Sequence, residues 1–418
     1  MGMRANTDPD NNDHRLAMLA ATERRQTGFE PNRKHIVLDS QTIAPPVSEL
    51  DLLTLVEEIA ARRDEIDRLS HVPRDIVQMM KAAGIFRAST PACFGGDALS
   101  PARFLPMVEA IAQADGSAAW VAAFGSANTY LAALPRETQA KIYADGPDQV
   151  FAGGLYPLQK ARDADGGWIA TGRWRFASGC KGADWIGVGI STDEVCPNGA
   201  PVVRMAVAPA AEVEIIDNWD VVGMQGTGSH DTRVEEKFYA QEWTCVRGAD
   251  GVIDETLYRY PPLAYQAQAH AVVNIGLARA ALDIVADMSA SARIMPGVPR
   301  LGDRGYFKLA LAEGEAGWHS ARSFFYQSIE EAWAVLEDGS ALSSKQRNLL
   351  RLSASHAAHA CADVIQAAYR AAGMSAIHKS HRLQQIVRDS MVVTQHAALS
   401  ESTFDDIGGF FAGTSKGL

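Results

Sequence analysis

The spacing of apolar residues changes period twice along this 418-residue chain, and that change restricts the folds open to it. Residues 47–147 carry apolar side chains at helical spacing, which is typical of helices that pack one face against a core. Near Gln149 short runs with apolar residues at every second position begin, separated by Gly, Pro, Asp and Asn, and this pattern predicts strands. From Tyr265 the helical spacing returns and continues toward the end of the chain.

These segments predict an α+β fold that is mostly α. We expect a mobile tail over 1–46, an N-terminal helical domain over 47–147, a central β-domain over 148–258 and a C-terminal helical bundle over 259–418. Six short strands are expected to form an antiparallel sandwich or barrel. Four successive helices with short connections, the last over 381–403, predict an up-down four-helix bundle.

The composition argues against several classes of partner. A net charge of −11 does not favour a surface for nucleic acid or an anionic membrane. The five cysteines form no C-x-x-C pair, which fits reduced thiols in a cytoplasm better than disulfides or a zinc site. We find no apolar run close to the roughly 20 residues of a membrane span, and no hydrophobic signal core at the N-terminus. We therefore expect a cytoplasmic protein without a bound metal.

The stretch Trp168–Cys180 has apolar or aromatic residues at every second position and ends in a hydroxyl and a glycine, Ser178-Gly179. A flat ligand could lie against Trp174 and Phe176 while the Ser178 hydroxyl donates one hydrogen bond to it. The alternative is an ordinary strand with two aromatic side chains in the core.

A glycine-rich segment, Gly223–Asp231, lies inside the predicted β-domain. No helical pattern follows it, so it does not match a dinucleotide-binding turn. Two interpretations stay open: a connection between strands, or a loop that lines a ligand cleft.

Four segments carry a resemblance to a known family. They are Pro73–Gly96, Ser117–Trp120, Gly172–Gly179 (G-R-W-R-F-A-S-G), and Arg382–Asp389, where Gln385 replaces the first Arg of an R-x-x-R-D helix. In this order, over residues 47–412, they resemble the acyl-CoA dehydrogenase superfamily. Gly172–Gly179 resembles its two-component flavin-dependent monooxygenases, which include aromatic and steroid-phenol hydroxylases.

The resemblance implies an oxygenase component that receives reduced FMN or FAD from a separate flavin reductase. Dioxygen would add at the flavin C4a carbon, and the resulting hydroperoxide would oxygenate an aromatic or other apolar small molecule. The resemblance also implies a homotetramer or a dimer. An acyl-CoA dehydrogenase or oxidase using FAD is the alternative function, and a nucleic-acid-binding member of the superfamily is a third.

The position of a catalytic carboxylate separates the first two functions, because a dehydrogenase needs a base beside the flavin. At the position where a dehydrogenase has its catalytic Glu, this chain has His396. The helix predicted over Ala271–Ala292, which carries the base in some relatives, has no Glu, and Glu401 follows the expected position by more than one helical turn. A monooxygenase needs a sheltered pocket that donates hydrogen bonds instead, and His396 and Ser178 suit that task. Arg382, Asp389 and His396 are seven residues apart, so they should share one stripe of the last helix, directed either at the site or at solvent or a second subunit.

Carried over from the family, Phe176, Ala177 and Ser178 resemble the flavin-contact triplet, with the Ser178 hydroxyl near flavin N5. Trp120 would border the cofactor pocket; the alternative is a core tryptophan. Asn128 stands where phenol hydroxylases often have a His, and it can form hydrogen bonds but cannot accept a phenolic proton.

Two further residues resemble cofactor contacts made across a subunit interface. Arg293 resembles an arginine that reaches the flavin phosphate of a neighbouring subunit; the alternative is a surface arginine. Gly373 resembles a turn that approaches the cofactor tail, and it also suits a helix C-cap. Gly153-Gly154 replaces a hydroxyl residue found in many relatives, which should leave a roomier pocket with one donor fewer.

Overall fold

The N-terminal part of the chain is helical, as predicted. The computed structural model describes residues 49–196, 199, 201–290 and 297–414. The helices before the sheets are α1 Glu49–Ala61, α2 Arg63–Leu69, α3 Arg74–Ala82, α4 Pro101–Ala114, α5 Gly116–Ala123, α6 Asn128–Leu131 and α7 Arg136–Ile142. Alanine-rich α4 and α5 are largely buried, so neighbouring elements approach them closely.

The central region forms two four-stranded sheets. The strands are β1 Phe151–Lys160, β2 Arg162–Ala164, β3 Gly167–Ala177, β4 Trp185–Val195, β5 Pro201–Pro209, β6 Glu214–Ile216, β7 His230–Ala240 and β8 Thr244–Val246. The sheet orders are β1-β4-β5-β8 and β2-β3-β7-β6. All pairs are antiparallel except β1 with β4, which is parallel. The short strands β2 and β8 were not predicted.

The C-terminal helices surround one buried helix. They are α8 Thr256–Arg259, α9 Pro262–Met288, α10 Gly305–Glu337, α11 Ser344–Ala372, α12 Arg382–Thr394 and α13 Glu401–Phe411. Helix α9 packs against α4, α10, α11 and α12. It is long and apolar enough to cross a membrane, contrary to the sequence expectation, but 78% of its most apolar window is buried inside the protein.

The last predicted helix is interrupted, which corrects its expected span of 381–403. Helix α12 ends at Thr394, residues 395–400 form turns, and α13 begins at Glu401. The His396 amide bonds to the Val393 carbonyl and the Leu399 amide bonds to the His396 carbonyl, both over three residues, which closes turns rather than an α-helix. His396 therefore lies beyond the helix that carries Arg382 and Asp389.

Arg382 and Asp389 lie on an inward face of α12, so a solvated stripe is wrong. Arg382 Nη2 donates to the Gln113 carbonyl at 2.7 Å, and the Met224 amide donates to Asp389 Oδ1 at 2.5 Å. Burial lowers the pKa of Arg382 to about 10, and burial together with Asp115 raises the pKa of Asp389 to about 8. This face holds the glycine-rich segment against the helices.

Candidate active site

The Trp120 side chain contacts two predicted site residues, Ser178 and His396, and one that was not predicted, His270. It is buried on α5, a helix that begins where the Asp115 carboxylate accepts the Ala118 amide hydrogen. The Trp120 ring lies edge-on to His270 at 4.2 Å between ring centroids and to His396 at 5.7 Å. Its Nε1–H donates to Ser178 Oγ at 3.2 Å. The structure thus brings Trp120, Ser178 and His396 together and adds His270.

Ser178 begins a chain of hydroxyl groups. Its Oγ lies 2.7 Å from Ser229 Oγ, which lies 2.7 Å from Thr227 Oγ1, and Thr227 donates to the Met224 carbonyl. Each hydroxyl has one hydrogen, and a carbonyl can only accept. Thr227 has therefore used its hydrogen, Ser229 must donate to Thr227, and Ser178 must donate to Ser229. Ser178 offers a ligand an acceptor lone pair, which corrects the donor role expected for it.

The glycine-rich segment lines this site and is more than a connection between strands. It supplies Thr227 and Ser229, and the Gly179 amide donates to the Thr227 carbonyl at 2.8 Å. A Cβ at Gly226 would stand 2.2 Å from Ile66 and 3.0 Å from Ser117 Cβ, so a larger residue would push the segment away from α2 and α5. The glycines allow the hydroxyl chain to form.

His270 and His396 form a stacked pair, with ring centroids 4.6 Å apart and ring planes 10° from parallel. His270 Nδ1 lies 2.7 Å from the Gln266 carbonyl, so Nδ1 carries the hydrogen and Nε2 keeps a lone pair. The Ala398 amide donates to His396 Nδ1 at 3.3 Å, so His396 carries its hydrogen on Nε2. The pair therefore presents one acceptor and one donor.

Desolvation keeps both imidazoles neutral; His270 is buried and His396 is half-buried. Desolvation lowers the pKa of His270 to about 4. Desolvation, with smaller contributions from His270 and the Arg247 charge, lowers the pKa of His396 to about 3. Neutral rings retain the tautomers that their backbone hydrogen bonds select, so the donor and acceptor roles persist at neutral pH.

A cavity beside His270, here called the histidine cavity, encloses about 640 Å³ of atom-free space including its mouth. Its walls include the apolar side chains of Phe124, Phe151, Leu155 and Met205. Its polar side chains are those of Ser126, Tyr130, Cys245, Arg247, Gln266 and His270.

Arg247 is the one charged residue among those that line the histidine cavity. Its Nε is buried and has no hydrogen-bond partner, and it forms no ion pair with any described residue. The guanidinium lies 5.8 Å from the Tyr156 ring centroid. Arg247 is half-buried, and a guanidinium in the wall of an apolar cavity can bind an anionic ligand.

The end of β3 fits a flat heteroaromatic cofactor such as a flavin. Phe176 has a backbone φ of 64° and is 64% exposed, an unusual combination for an aromatic residue. Its ring packs edge-on against Trp219 at 6.2 Å. An exposed aromatic surface two residues from the Ser178 acceptor matches a ring that carries an N–H at one edge, and reduced flavin has such an N–H at N5.

Three other predicted residues have different positions. Asn128 is buried and donates both amide hydrogens, to the Phe86 carbonyl and to Thr90 Oγ1, each at 2.8 Å. It does not line the histidine cavity, so its assignment to catalysis is corrected to a packing role. Gly373 is exposed at the C-cap of α11 with φ 63°. Arg293 lies outside the described residues.

Gly153 lines the histidine cavity, and close strand packing also requires glycine at Gly153 and Gly154. A Cβ at Gly153 would stand 2.6 Å from the Gly187 carbonyl oxygen, and one at Gly154 would stand 2.3 Å from the Arg175 carbonyl oxygen. The parallel pairing of β1 with β4 brings Gly153 against Gly187, whereas the Arg175 carbonyl beside Gly154 belongs to β3. A hydroxyl residue would not fit at either position without a shift of a strand.

Comparisons with known proteins identify the family of the chain. Residues 54–145 match the acyl-CoA dehydrogenase N-terminal domain, and residues 268–401 match the C-terminal domain of the same family. An indole-3-acetate monooxygenase of Pseudomonas putida is 44% identical over 353 residues, covering 84% of this chain and 90% of its own. The chain belongs to the flavin-dependent monooxygenases of the acyl-CoA dehydrogenase superfamily. The exposed position of Glu401 agrees with this family, because a dehydrogenase base must lie beside the flavin.

A second relative identifies the type of monooxygenase. An FADH(2)-dependent resorcinol hydroxylase, oxygenase component, of Rhizobium sp. is 27% identical over 381 residues, covering 86% of this chain and 91% of its own. The 3-HSA hydroxylase from Rhodococcus sp. RHA1 shares the fold, with a TM-score of 0.82, 24% identity and coverage of 88% of this chain and 96% of its own. This protein is the oxygenase component of a two-component system and uses reduced flavin and O2.

Sequence reasoning missed four residues of this oxygenase's site. His270 lies one residue before the predicted start of the buried helix, which in fact begins at Pro262. Ser229 and Thr227 lay in the glycine-rich segment, whose cleft-lining interpretation could have suggested them. Arg247 follows β8, a strand of three residues, and no sequence signal marks it.

Proposed function

We propose that the oxygenase hydroxylates a flat aromatic carboxylate of the indole-3-acetate type. The observation that carries this proposal is the unpaired Arg247 in the wall of the otherwise uncharged histidine cavity. The cavity's apolar walls would bury the aromatic ring, and the guanidinium would bind the carboxylate.

Charge supports an anionic substrate. The chain as a whole has a net charge of −11, yet among the described residues no Asp or Glu lines the histidine cavity. Burial raises the pKa of Tyr130 and lowers that of His396; the Arg247 charge opposes the first shift and adds to the second, so it acts on the interior of the site. A guanidinium can bind a carboxylate through two parallel hydrogen bonds, which fixes orientation as well as adding affinity.

The relative that is 44% identical is named for indole-3-acetate, a bicyclic aromatic ring with a short carboxylate arm. Such a molecule fits a cavity with apolar walls and one cation.

The residues around Trp120 would hold the reactants. Reduced flavin, when bound, supplies the activated oxygen that is transferred to the substrate. Ser178 would accept a hydrogen bond from the flavin edge, with its own hydrogen kept on Ser229. His396 Nε2–H would donate to oxygen, and the buried Trp120 ring would keep water away from it.

We further propose a homotetramer in the cytoplasm, as the family resemblance implies. A separate reductase would supply reduced flavin to this oxygenase, which is supported by the relatives named as oxygenase components. The cofactor contacts proposed for Arg293 and Gly373 belong to the same assembly, and Gly373 is exposed in the single chain.

The test is Arg247→Gln, assayed with a flavin reductase, indole-3-acetate and 3-methylindole. Loss of a charge-assisted hydrogen bond costs about 1.5–3 kcal/mol, so kcat/KM for indole-3-acetate should fall about 10- to 100-fold. 3-Methylindole lacks the carboxylate, so its turnover should be poor in the wild type and unchanged in the variant.

Arg204→Gln is the matched control, because Arg204 is paired with Glu194 and stacks on Trp168 outside the histidine cavity. It should leave both substrates unaffected. Equal turnover of indole-3-acetate by wild type and Arg247→Gln would overturn the proposed substrate class.

A further inference from the structure

We propose that His270 recognises the ring N–H of the substrate through its Nε2 lone pair, and so selects nitrogen heteroaromatics over rings of the same shape without N–H. This inference rests on the proposed function and specifies the second polar contact of the same cavity. Arg247 would bind the carboxylate and His270 would bind the opposite part of the molecule.

The tautomer of His270 makes it an acceptor. Nδ1 donates to the Gln266 carbonyl one helical turn earlier, at 2.7 Å, so the only hydrogen of the neutral ring is in use. Within the described part of the chain, no side chain or amide donates to Nε2. Because His270 lines the histidine cavity, a donor on the substrate can complete this pair.

Aromatic neighbours hold the His270 ring in one orientation. Trp120 lies edge-on to it at 4.2 Å, Phe124 edge-on at 5.7 Å, and His396 stacks on it at 4.6 Å. A ring enclosed on several sides cannot rotate freely, so the direction of the Nε2 lone pair is fixed. A fixed acceptor discriminates between ligands better than a mobile one.

The other polar groups of the cavity serve this task less well. Ser126 donates to the Ala123 carbonyl at 2.7 Å, and Tyr130 donates to Gln266 Oε1 at 2.7 Å. Their oxygen lone pairs are weaker acceptors than an imidazole nitrogen. His396 has the opposite tautomer, since its Nδ1 accepts the Ala398 amide hydrogen, and it therefore presents a donor.

The contact also has a chemical consequence. A ring N–H that shares its hydrogen with a base places more electron density on the ring carbons, which makes them better nucleophiles toward an electrophilic oxygen. The hydrogen stays between the ring nitrogen and Nε2, so no proton acceptor other than His270 is needed. His396 stacks on the His270 ring but does not line the cavity, so the acceptor of His270 is the imidazole group that the substrate meets.

The experiment measures binding, because ring reactivity would confuse a comparison of rates. Indole-3-acetate and benzofuran-3-acetate, in which oxygen replaces N–H, are titrated by calorimetry into the oxygenase with reduced flavin under anaerobic conditions. An unpaired buried acceptor costs about 1–3 kcal/mol, so the wild type should bind the indole about 5- to 150-fold more tightly. His270→Phe keeps an aromatic ring without the acceptor, and its ratio of dissociation constants should fall to about 1.

Phe124→Leu is the matched control, because Phe124 lines the same wall and contacts the same imidazole. It should weaken both ligands equally and keep the wild-type ratio. A wild-type ratio near one, or an unchanged ratio in His270→Phe, overturns the inference while leaving the proposed function intact. Failure of the wild type to bind either acetate would instead overturn the proposed function.

Discussion

The two sides of Trp120 differ in how completely their polar groups are paired. On the side of Ser178, the hydroxyls of Ser178, Ser229 and Thr227 each donate to a neighbour, and the last donates to a carbonyl. On the side of the histidine cavity, Arg247 has a buried Nε without a partner, and His270 Nε2 has none among the described residues. Native proteins pair nearly all buried polar groups, so we expect a ligand to supply partners for Arg247 and His270.

The difference also separates two tasks. A closed chain of hydroxyls fixes the direction of every hydrogen, which suits a surface that always meets the same cofactor. An open set of one cation and one acceptor suits a surface that must recognise a particular substrate. The four predictions that follow test this division in order of expected effect.

The largest effect is expected for Trp120→Ala, because this ring contacts both sides. Loss of a buried tryptophan costs about 3–5 kcal/mol of unfolding free energy, measurable by urea denaturation. The variant should also release most of the reduced flavin's electrons as hydrogen peroxide. Trp318→Ala is the control, since Trp318 is equally buried and bonds to the Ile275 carbonyl away from the site. If both variants release similar amounts of hydrogen peroxide per reduced flavin, Trp120 has no role beyond packing.

A smaller effect, about 1–3 kcal/mol in unfolding free energy, is expected for Ser229→Ala. The change removes the acceptor of the Ser178 hydrogen and frees that hydroxyl to rotate. Hydrogen peroxide formed per reduced flavin should rise, as measured in a coupled peroxidase assay. Ser390→Ala removes a buried hydroxyl that bonds only within α12. If Ser390→Ala produces as much hydrogen peroxide per reduced flavin as Ser229→Ala, the role proposed for the Ser178–Ser229 hydrogen bond is wrong.

The pH dependence of stability should report the neutral His270. Its pKa is lowered to about 4 in the folded protein and is about 6.5 in the unfolded chain. The contribution of neutral His270 to the free energy of unfolding is therefore fully present above about pH 6.5. It is lost as the pH falls from there toward 4, because in this range only the unfolded chain takes up the proton.

Between pH 7 and pH 5 the wild type should lose about 2 kcal/mol of unfolding free energy more than His270→Phe does. Urea denaturation of both proteins at the two pH values measures this difference. The same loss in both proteins would mean that His270 is already protonated in the folded state or is accessible to water.

The smallest effect is expected for Glu401→Gln. Glu401 is exposed at the start of α13, away from the residues that contact Trp120. Its replacement should change unfolding free energy by no more than about 0.5 kcal/mol and leave turnover unchanged. A large loss of turnover would revive the dehydrogenase interpretation, in which Glu401 is the base.

Resemblance and periodicity together predicted the three-part fold and brought Trp120, Ser178 and His396 to notice. The break after Thr394 was not predicted, because helical spacing alone does not show where the backbone turns. His270, Ser229 and Arg247 come from three separate segments, and only the tertiary packing brings them near Trp120. The hydrogen bonds of Asn128 to Phe86 and Thr90 also depend on tertiary packing. The position of Asn128 in the sequence, eight residues after Trp120, could not show that its amide hydrogens are already used.

The most direct measurement is the origin of the oxygen in the product formed from indole-3-acetate. The wild-type oxygenase, its reductase partner and isotopically labelled dioxygen should give a product that contains one oxygen atom from O2, as determined by mass spectrometry. The yield should fall in Arg247→Gln. A product without oxygen from O2, or a wild type that converts no aromatic carboxylate, would contradict the account.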